Sequence, residues 1–120
     1  MTMTQKYYEE ARQKCAVEPV LRLLSGRWTL YIMWRLQSEG PQRFGALVKL
    51  LPGVSAKVLT ERLRLLEAAG LVDRQVNPTI PPEVTYSLTE RGEELRGSLT
   101  EIEKVARLWQ SESWGPGIQG

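Results

Sequence analysis

The chain has 120 residues, a formal net charge of +2 at pH 7 and 42% hydrophobic residues, which is typical of one soluble domain with a modest core. It contains no histidine and one cysteine, so histidine-based catalysis, a structural zinc site and an intrachain disulfide are excluded. We therefore expect no enzyme activity, no cofactor and no metal. Residues 1–76 carry twelve basic and seven acidic side chains, whereas residues 77–120 carry four and seven, so positive charge is concentrated in the first two thirds.

The first residues of the chain are largely polar and lack the apolar stretch that a secretory signal requires. The longest apolar run, residues 30–34, is far shorter than the roughly 20 residues that span a bilayer. We therefore expect a soluble cytoplasmic protein that does not contact a membrane. A single cysteine fits the reducing conditions of that compartment.

Residues 1–25 are predicted to form a polar helical arm and then an amphipathic helix. Tyr7 and Tyr8 can lie on one side of the arm. The next apolar residues repeat at helical spacing until Gly26: Val17, Val20, Leu21 and Leu24. A mostly buried helix is predicted over residues 27–38, with Gly40-Pro41 as its stop. Its large apolar residues are Trp28, Leu30, Tyr31, Ile32, Trp34 and Leu36.

Two helices joined by a short turn are predicted between residues 44 and 70. The first helix ends at Pro52-Gly53, and the second follows Ser55, which is well placed as its N-cap. Gly70 is placed to end the second helix as a C′ glycine. Two helices joined by a short turn that contains glycine are the signature of a helix-turn-helix motif.

The second helix of this motif has two distinct sides. Leu59, Leu63 and Leu66 form one apolar stripe that can face a core. The opposite side carries four polar residues: Lys57, Thr60, Glu61 and Arg64. The helix alone favours a merely solvated polar side, but its place within a helix-turn-helix favours a binding surface.

A β-hairpin is predicted directly after the motif, from the alternating segments LVDRQV and EVTYSL. The connecting segment NPTIPP is rigid and poor in backbone donors. A hairpin in this position is a wing. Thr89 is then predicted to cap one last helix, whose apolar positions step by fours and threes: Leu95, Leu99, Ile102, Ala106 and Trp109.

This order of elements predicts a mainly α protein with a small β-hairpin, a winged helix-turn-helix domain over residues 1–112. A short strand precedes the motif, and residues 41–88 form the motif and its wing. Residues 1–25 and 89–112 are assigned to N- and C-terminal dimerisation helices, and residues 113–120 to a flexible tail.

In this architecture the second helix of the motif enters the DNA major groove, and the wing lies beside the backbone or minor groove. Arg64 could then donate to guanine O6 and N7, and Lys57 near the helix start suits a phosphate. Thr60 could contact a base edge or a phosphate. Glu61 could accept from cytosine N4, or it could hold Arg64 or Lys57 in position.

Several motifs have spacings that are specific to one family. They include Gly-x-Trp from Gly26, Arg-Phe-x-x-Leu from Arg43, Leu-Pro-Gly-x-Ser from Leu51 and Pro-Pro-x-Val-x-Tyr-x-Leu-Thr from Pro81. With the segments CAVEPVLRLLSGRWTLYIMWRL and KVLTERLRLLEAAGLVDR, they resemble the HxlR-type winged-helix transcription regulators of bacteria. The similarity runs from about residue 15 to about residue 109.

The resemblance implies a homodimer that binds a palindromic operator in double-stranded DNA and represses or activates nearby genes. It implies that the first and last helices form the dimer interface, which assigns Tyr7, Tyr8 and the apolar positions of the last helix to that interface. It also implies that Ser55, Lys57, Thr60 and Arg64 lie at the DNA, and we include Arg43 with them.

The wing departs from the family pattern at two positions. Asn77 stands where a tyrosine is common, and Glu83 stands where a lysine or arginine often follows the paired prolines. Arg74 is therefore the basic residue of the wing that we expect to contact DNA.

Two interpretations of Cys15 remain open. It is either a small buried packing residue or a reactive thiol, because a nearby helix N-terminus and Lys14 favour the thiolate while Glu18 opposes it. The resemblance implies the second, since several similar proteins sense oxidants, quinones or other electrophiles through a cysteine at this position. The available products are a disulfide to a partner subunit, a mixed disulfide with a small thiol, or an alkylated sulfur.

A second function from a different class is also open, a winged-helix protein-interaction module without sequence-specific DNA binding. In that case the polar side of residues 57–64 would dock a protein partner. Binding to a duplex that weakens steeply with salt would favour the DNA-binding regulator, because neutralised phosphates release counterions. Salt-insensitive binding to a protein would favour the interaction module.

Overall fold

The computed structural model describes residues 2–112 and 114–115. Over those residues the elements are α1 (Met3–Lys14), α2 (Val17–Leu24), α3 (Thr29–Glu39), β1 (Gln42–Arg43), α4 (Phe44–Leu50), α5 (Ala56–Ala68), β2 (Val72–Asn77), β3 (Glu83–Leu88), α6 (Glu90–Glu93) and α7 (Arg96–Ser111). The winged helix-turn-helix order that we predicted is confirmed. The predicted flexible tail lies outside the described residues, apart from residues 114 and 115.

The helix-turn-helix consists of α4 and α5. The hydroxyl of Ser55 accepts a hydrogen bond from the backbone N–H of Val58 at 3.1 Å, which confirms Ser55 as the N-cap of α5. Gly53 in the turn and Gly70 after α5 have positive φ values of 94° and 78°, conformations that glycine adopts without strain. Local sequence chemistry therefore sets both ends of α5.

The wing is the β2–β3 hairpin of a three-stranded antiparallel sheet in the order β1-β3-β2. Arg43 is opposite Thr85, and Arg74 is opposite Tyr86. Because side chains alternate along a strand, Arg43 shares one sheet face with Thr85 and Glu83, whereas Arg74 lies on the other. The sheet thus separates two arginines that we assigned to one DNA-binding surface.

The core lies where α3, α4 and α5 meet the base of the sheet. The apolar stripe of α5 is confirmed, since its three leucines are fully or almost fully buried. The buried apolar residues are Ile32, Met33, Leu36, Leu47, Leu51, Leu59, Leu63, Leu66, Leu71, Val72 and Leu99.

Helix α3 is less buried than we predicted. It begins at Thr29, because Trp28 before it has a φ of 78°. Its buried side chains are Thr29, Ile32, Met33 and Leu36, whereas Leu30 and Tyr31 are 39% and 38% exposed. The prediction of a mostly buried helix was wrong because one helix side faces the core, so large apolar residues on the other side stay at the surface.

The predicted last helix is two helices. The Thr89 hydroxyl accepts from the N–H of Gly92 at 3.1 Å and so caps α6. Gly92 is packed against the Leu71 carbonyl so closely that a Cβ would lie 2.2 Å from its oxygen. The chain turns after Glu93, and α7 starts at Arg96.

This turn affects two residues that we assigned to the dimer interface. Leu99 is 5% exposed and belongs to the core, and Leu95 packs against it. The assignment of Leu99 to the interface was wrong, because the start of α7 directs it into its own domain, whereas Leu95 is half-buried and its assignment stays a prediction. Among the described residues no helix is both long and apolar enough to cross a membrane.

Candidate nucleic-acid interface

The outer side of α5 carries charged residues without partners. Lys57, Glu61 and Arg64 are exposed. Within the part of the chain that the structure describes, none of the three makes an ion pair or a side-chain hydrogen bond. In the free protein, Glu61 therefore holds neither Lys57 nor Arg64 in position. All three groups are available to an external partner.

The two hydroxyl residues of α5 are partly committed to the helix itself. Thr60 is half-buried, and its hydroxyl donates to the Ala56 carbonyl at 2.8 Å. It can still accept a hydrogen bond, but it can donate to a phosphate only by giving up this bond. Ser55 uses its oxygen as an acceptor in the N-cap, so its O–H proton remains able to donate to a phosphate.

Arg62, which we did not predict, fixes the position of α5. Its Nε donates to the carbonyl oxygen of Arg27 at 2.8 Å, which ties α5 to the loop between α2 and α3. The same loop approaches the turn of the motif, because a Cβ on Gly53 would lie 3.7 Å from the Trp28 ring. No local pattern relates positions 35 residues apart, so the sequence held no signal for this contact.

A cleft of about 450 Å³ separates α5 from the wing. Arg64 enters it from α5 and Arg74 from β2, so the structure brings these two predicted DNA-binding residues together. Both are exposed. The other lining residues are Phe44, Thr60, Leu63, Glu67, Val84 and Tyr86.

Arg43 is placed differently. Its Nη2 lies 2.7 Å from a carboxylate oxygen of Glu83 in an exposed ion pair, on the sheet face opposite Arg74. Glu83, which departs from the family pattern, therefore neutralises Arg43, which we assigned to DNA binding. Register explains the contact, because Glu83 is two residues from Thr85, the strand partner of Arg43.

A second surface, on α3 and α7, is apolar. We call it the α3–α7 apolar surface, and its exposed residues are Leu30, Tyr31, Ile102, Val105 and Trp109. An apolar cleft of about 310 Å³ runs between the two helices, and Ala106 lines it. On α2, the apolar residues Val17, Val20 and Leu21 are exposed as well.

Cys15 is exposed, so its interpretation as a buried packing residue was wrong. It ends α1 by donating its backbone N–H to the Ala11 carbonyl at 2.7 Å, and α2 begins two residues later. It lines a cavity of about 270 Å³ with Lys14, Tyr7 and Glu18 among its neighbours. The thiol is therefore open to solvent at the junction of α1 and α2.

The arm is held to α2 through Tyr7. The Tyr7 hydroxyl donates to the Glu18 carboxylate, and this hydrogen bond raises the pKa of Tyr7 above its ordinary value. The Arg22 guanidinium lies 4.6 Å from the centre of the Tyr7 ring and 3.3 Å from Glu18. Tyr8 packs edge-on against Tyr7 with ring centres 5.4 Å apart. Of the two predicted interface tyrosines, Tyr7 thus contacts α2, and Tyr8 contacts Tyr7.

Among residues 2–112 and 114–115, the structure contains no group of three or more Cys, Asp and Glu side chains that could hold a metal ion. The chemistry available at the candidate interface is that of charged hydrogen bonds on α5 and the wing.

A helix-turn-helix with an unpaired polar outer side and a wing beside it defines a winged helix-turn-helix regulator. The family model for the HxlR-like helix-turn-helix matches residues 23–114. The chain therefore belongs to the HxlR-like helix-turn-helix family and is a DNA-binding transcriptional regulator. This confirms the family that the motifs indicated.

Known proteins support this assignment. The uncharacterized HTH-type transcriptional regulator sll1512 of Synechocystis sp. is 42% identical over 95 residues, covering 79% of this chain and 70% of the relative. The redox regulator HypR in its reduced form superposes with a TM-score of 0.74 at 32% identity, covering 82% of this chain and 99% of HypR. The diamide-treated YodB of B. subtilis superposes with a TM-score of 0.64 at 34% identity, covering 85% and 96%.

Proposed function

We propose that this regulator binds a palindromic operator as a homodimer, with α5 of each protomer in the major groove. The observation that carries the proposal is the set of exposed, unpaired charges on α5, Lys57, Glu61 and Arg64. Lys57 near the helix start is suited to a phosphate, and Glu61 can accept from cytosine N4. Ser55 supports the same contact because its hydroxyl proton is free. With an operator as its target, we propose that the protein acts in the cytoplasm.

A second copy of the chain is the partner that we assign to the α3–α7 apolar surface. Ile102 and Trp109 are 56% and 42% exposed, and exposed apolar patches of this kind mark protein interfaces. Ala106 lies between them on α7, and Tyr7 and Tyr8 extend the interface on the arm. A two-fold dimer sets its recognition helices about 34 Å apart, on half-sites one DNA turn apart.

The test of DNA binding is a mobility shift on the duplex upstream of the protein's own gene, measured at several salt concentrations. We expect Lys57→Ala to weaken binding to operator and random duplexes equally and to lower the salt slope by about 1 per half-site, or about 2 for the dimer. Lys104→Ala is the matched control, since Lys104 is paired with Glu101 on α7. Absence of duplex binding, with salt-insensitive binding to a protein, would favour the interaction module instead.

We also propose that Cys15 makes operator binding responsive to oxidants or electrophiles. Its support is the exposure of the thiol at the α1–α2 junction, beside the arm assigned to the dimer interface. HypR is a redox regulator and YodB has been treated with diamide, and both share this fold. A disulfide to the partner, a mixed disulfide or an alkylated sulfur there would shift the spacing of the two α5 helices.

The test compares wild type with Cys15→Ser in the same mobility shift, with and without diamide. We expect diamide to change the operator affinity of wild type and to leave Cys15→Ser unaffected. An equal response of both proteins would contradict the role of Cys15 and leave the proposal of DNA binding intact.

A further inference from the structure

The cleft between α5 and the wing brings together two cations from different elements. Arg64 reaches it from α5, and Arg74 reaches it from β2. Arg74 lies on the same sheet face as Val72, which is buried toward the core, so its side chain is on the α5 side of the wing. The arrangement does not depend on a loop, because both residues sit within regular elements.

The cleft carries more positive than negative charge. Glu67 is the acidic residue in its lining, against two arginines. Among the described residues, neither arginine makes an ion pair or a side-chain hydrogen bond, with Glu67 or with any other group. Arg43 and Arg96, in contrast, each have a carboxylate oxygen within 2.7 Å. The cleft therefore presents two free guanidinium groups to an anion.

A DNA phosphate fits this arrangement better than a base edge does. Guanidinium groups bind phosphate oxygens through two parallel donors, and two of them can share one phosphate. Arg64 lies in the second half of α5, beside the wing, and the wing lies along the DNA backbone in this architecture. This position distinguishes Arg64 from Lys57 and Glu61, which lie nearer the start of α5.

We propose that Arg64 and Arg74 hold one backbone phosphate of the operator between them, so that α5 and the wing are fixed to the duplex by a shared contact. Arg64 is then a positioning residue, and it does not read guanine as its helix position first indicated. Sequence readout belongs to the first half of α5. The inference rests on the proposed DNA binding.

The test uses the salt dependence of binding for Arg64→Ala, Arg74→Ala and the double variant. Each neutralised phosphate contributes about 0.9 to the slope of log affinity against log salt on B-DNA. We expect the double variant to lose about 0.9 per half-site, or about 1.8 for the dimer, with operator and random duplexes weakened to the same extent. Two separate phosphates would give a loss of about 1.8 per half-site, or about 3.6 for the dimer, and would overturn the proposal.

A second measurement locates the phosphate. Neutral methylphosphonates are placed one at a time along the operator backbone. We expect one position per half-site at which the substitution weakens wild type but not the double variant. Arg96→Ala is the matched control, since Arg96 is paired with Glu93 and should keep the wild-type pattern and slope.

Three other outcomes are decisive. If Arg64→Ala relaxes the preference at a single base pair, Arg64 reads a base and the proposal is wrong. If wild type binds duplex but the double variant keeps the wild-type slope, the shared contact is wrong while the proposed function stands. If wild type binds no duplex, the proposed function is wrong and this inference with it. Thermal unfolding of each variant, expected at the wild-type temperature because both arginines are exposed, excludes misfolding as the cause.

Discussion

Helices α5 and α7 leave opposite kinds of side chain uncovered. On α5 the leucines of the apolar stripe are buried, and within the described part of the chain Lys57, Glu61 and Arg64 on the outer side have no ion-pair or side-chain hydrogen-bond partner. On α7 the charged residues pair along the helix surface, with Lys104 2.9 Å from Glu101 and Arg107 2.7 Å from Glu103. Beyond the buried Leu99, four large apolar residues of α7 are also exposed: Ile102, Val105, Leu108 and Trp109.

The difference indicates which kind of partner each helix can bind. Unpaired charges are stable in water but gain strong hydrogen bonds from a charged ligand such as a phosphate. Exposed apolar side chains gain free energy when they leave water, about 25 cal/mol per Å² of buried area. The outer side of α5 therefore suits nucleic acid. The exposed apolar residues of α7 suit another apolar surface, and we propose that a second copy of the chain supplies it. The following experiments test this contrast, beginning with the largest expected effect.

Truncation of the buried stripe should have the largest effect. We expect Leu63→Ala to lower the free energy of unfolding by about 2–5 kcal/mol, because Leu63 is 1% exposed and the deletion leaves a cavity. Leu65, on the same helix and 41% exposed, is the matched control, and Leu65→Ala should cost less than about 1 kcal/mol. Urea denaturation measures both. Equal losses would show that α5 does not divide into a buried and an exposed side.

A charge placed on the apolar side of α7 should have the next largest effect. We expect Ile102→Asp to weaken the dimer by about 2 kcal/mol, or about 30-fold in its dissociation constant. Sedimentation at micromolar concentration measures the change, and Lys104→Ala on the charged side should leave the dimer intact. A wild-type monomer under these conditions would contradict the dimer itself. A dimer unaffected by Ile102→Asp would place the interface elsewhere.

Substitution of Arg43 should resemble substitution of the paired charges of α7 in its effect on DNA binding, and it should differ from substitution of Lys57. Its ion pair with Glu83 is exposed, and such pairs contribute about 0–1 kcal/mol to stability. We expect Arg43→Ala to fall in that range and to leave the salt slope of DNA binding unchanged. A slope lowered as much as by Lys57→Ala would show that DNA draws Arg43 away from Glu83.

The elements predictable from the sequence are those set by local chemistry. Ser55 caps α5, Gly70 follows its end, and three leucines at helical spacing define its buried side. Each of these signals involves residues within a few positions of one another, so no knowledge of the rest of the fold is needed.

The wrong predictions concern contacts between distant segments. The apolar positions of α7 share one spacing, yet Leu99 is buried and Ile102 is exposed, because the close packing of Gly92 against Leu71 sets the direction of the helix. The contact from Arg62 to the Arg27 carbonyl likewise depends on the finished fold. Spacing shows that a helix has an apolar side, but it does not show which neighbour covers it.

The smallest expected effect comes from a charge pair at the start of α7. Arg96 donates to both carboxylate oxygens of Glu93, at 2.6 and 3.0 Å, and these hydrogen bonds hold the pKa of Glu93 below its ordinary value. A carboxyl group whose pKa is lower in the folded state adds stability at neutral pH. That stability declines as the pH falls below the ordinary glutamate pKa of about 4.3, and it is gone below the folded-state value.

We therefore expect Arg96→Met to lower the melting temperature slightly at neutral pH and not at all in strong acid. Arg91→Met is the control, since its guanidinium contacts the Ala69 carbonyl and its effect should not follow the same pH course. If the melting temperature of Arg96→Met stays equally far below that of wild type in acid, Arg96 stabilises α7 through the packing of its side-chain stem. The ion pair with Glu93 would then contribute nothing, which would contradict the contrast between paired charges on α7 and unpaired charges on α5.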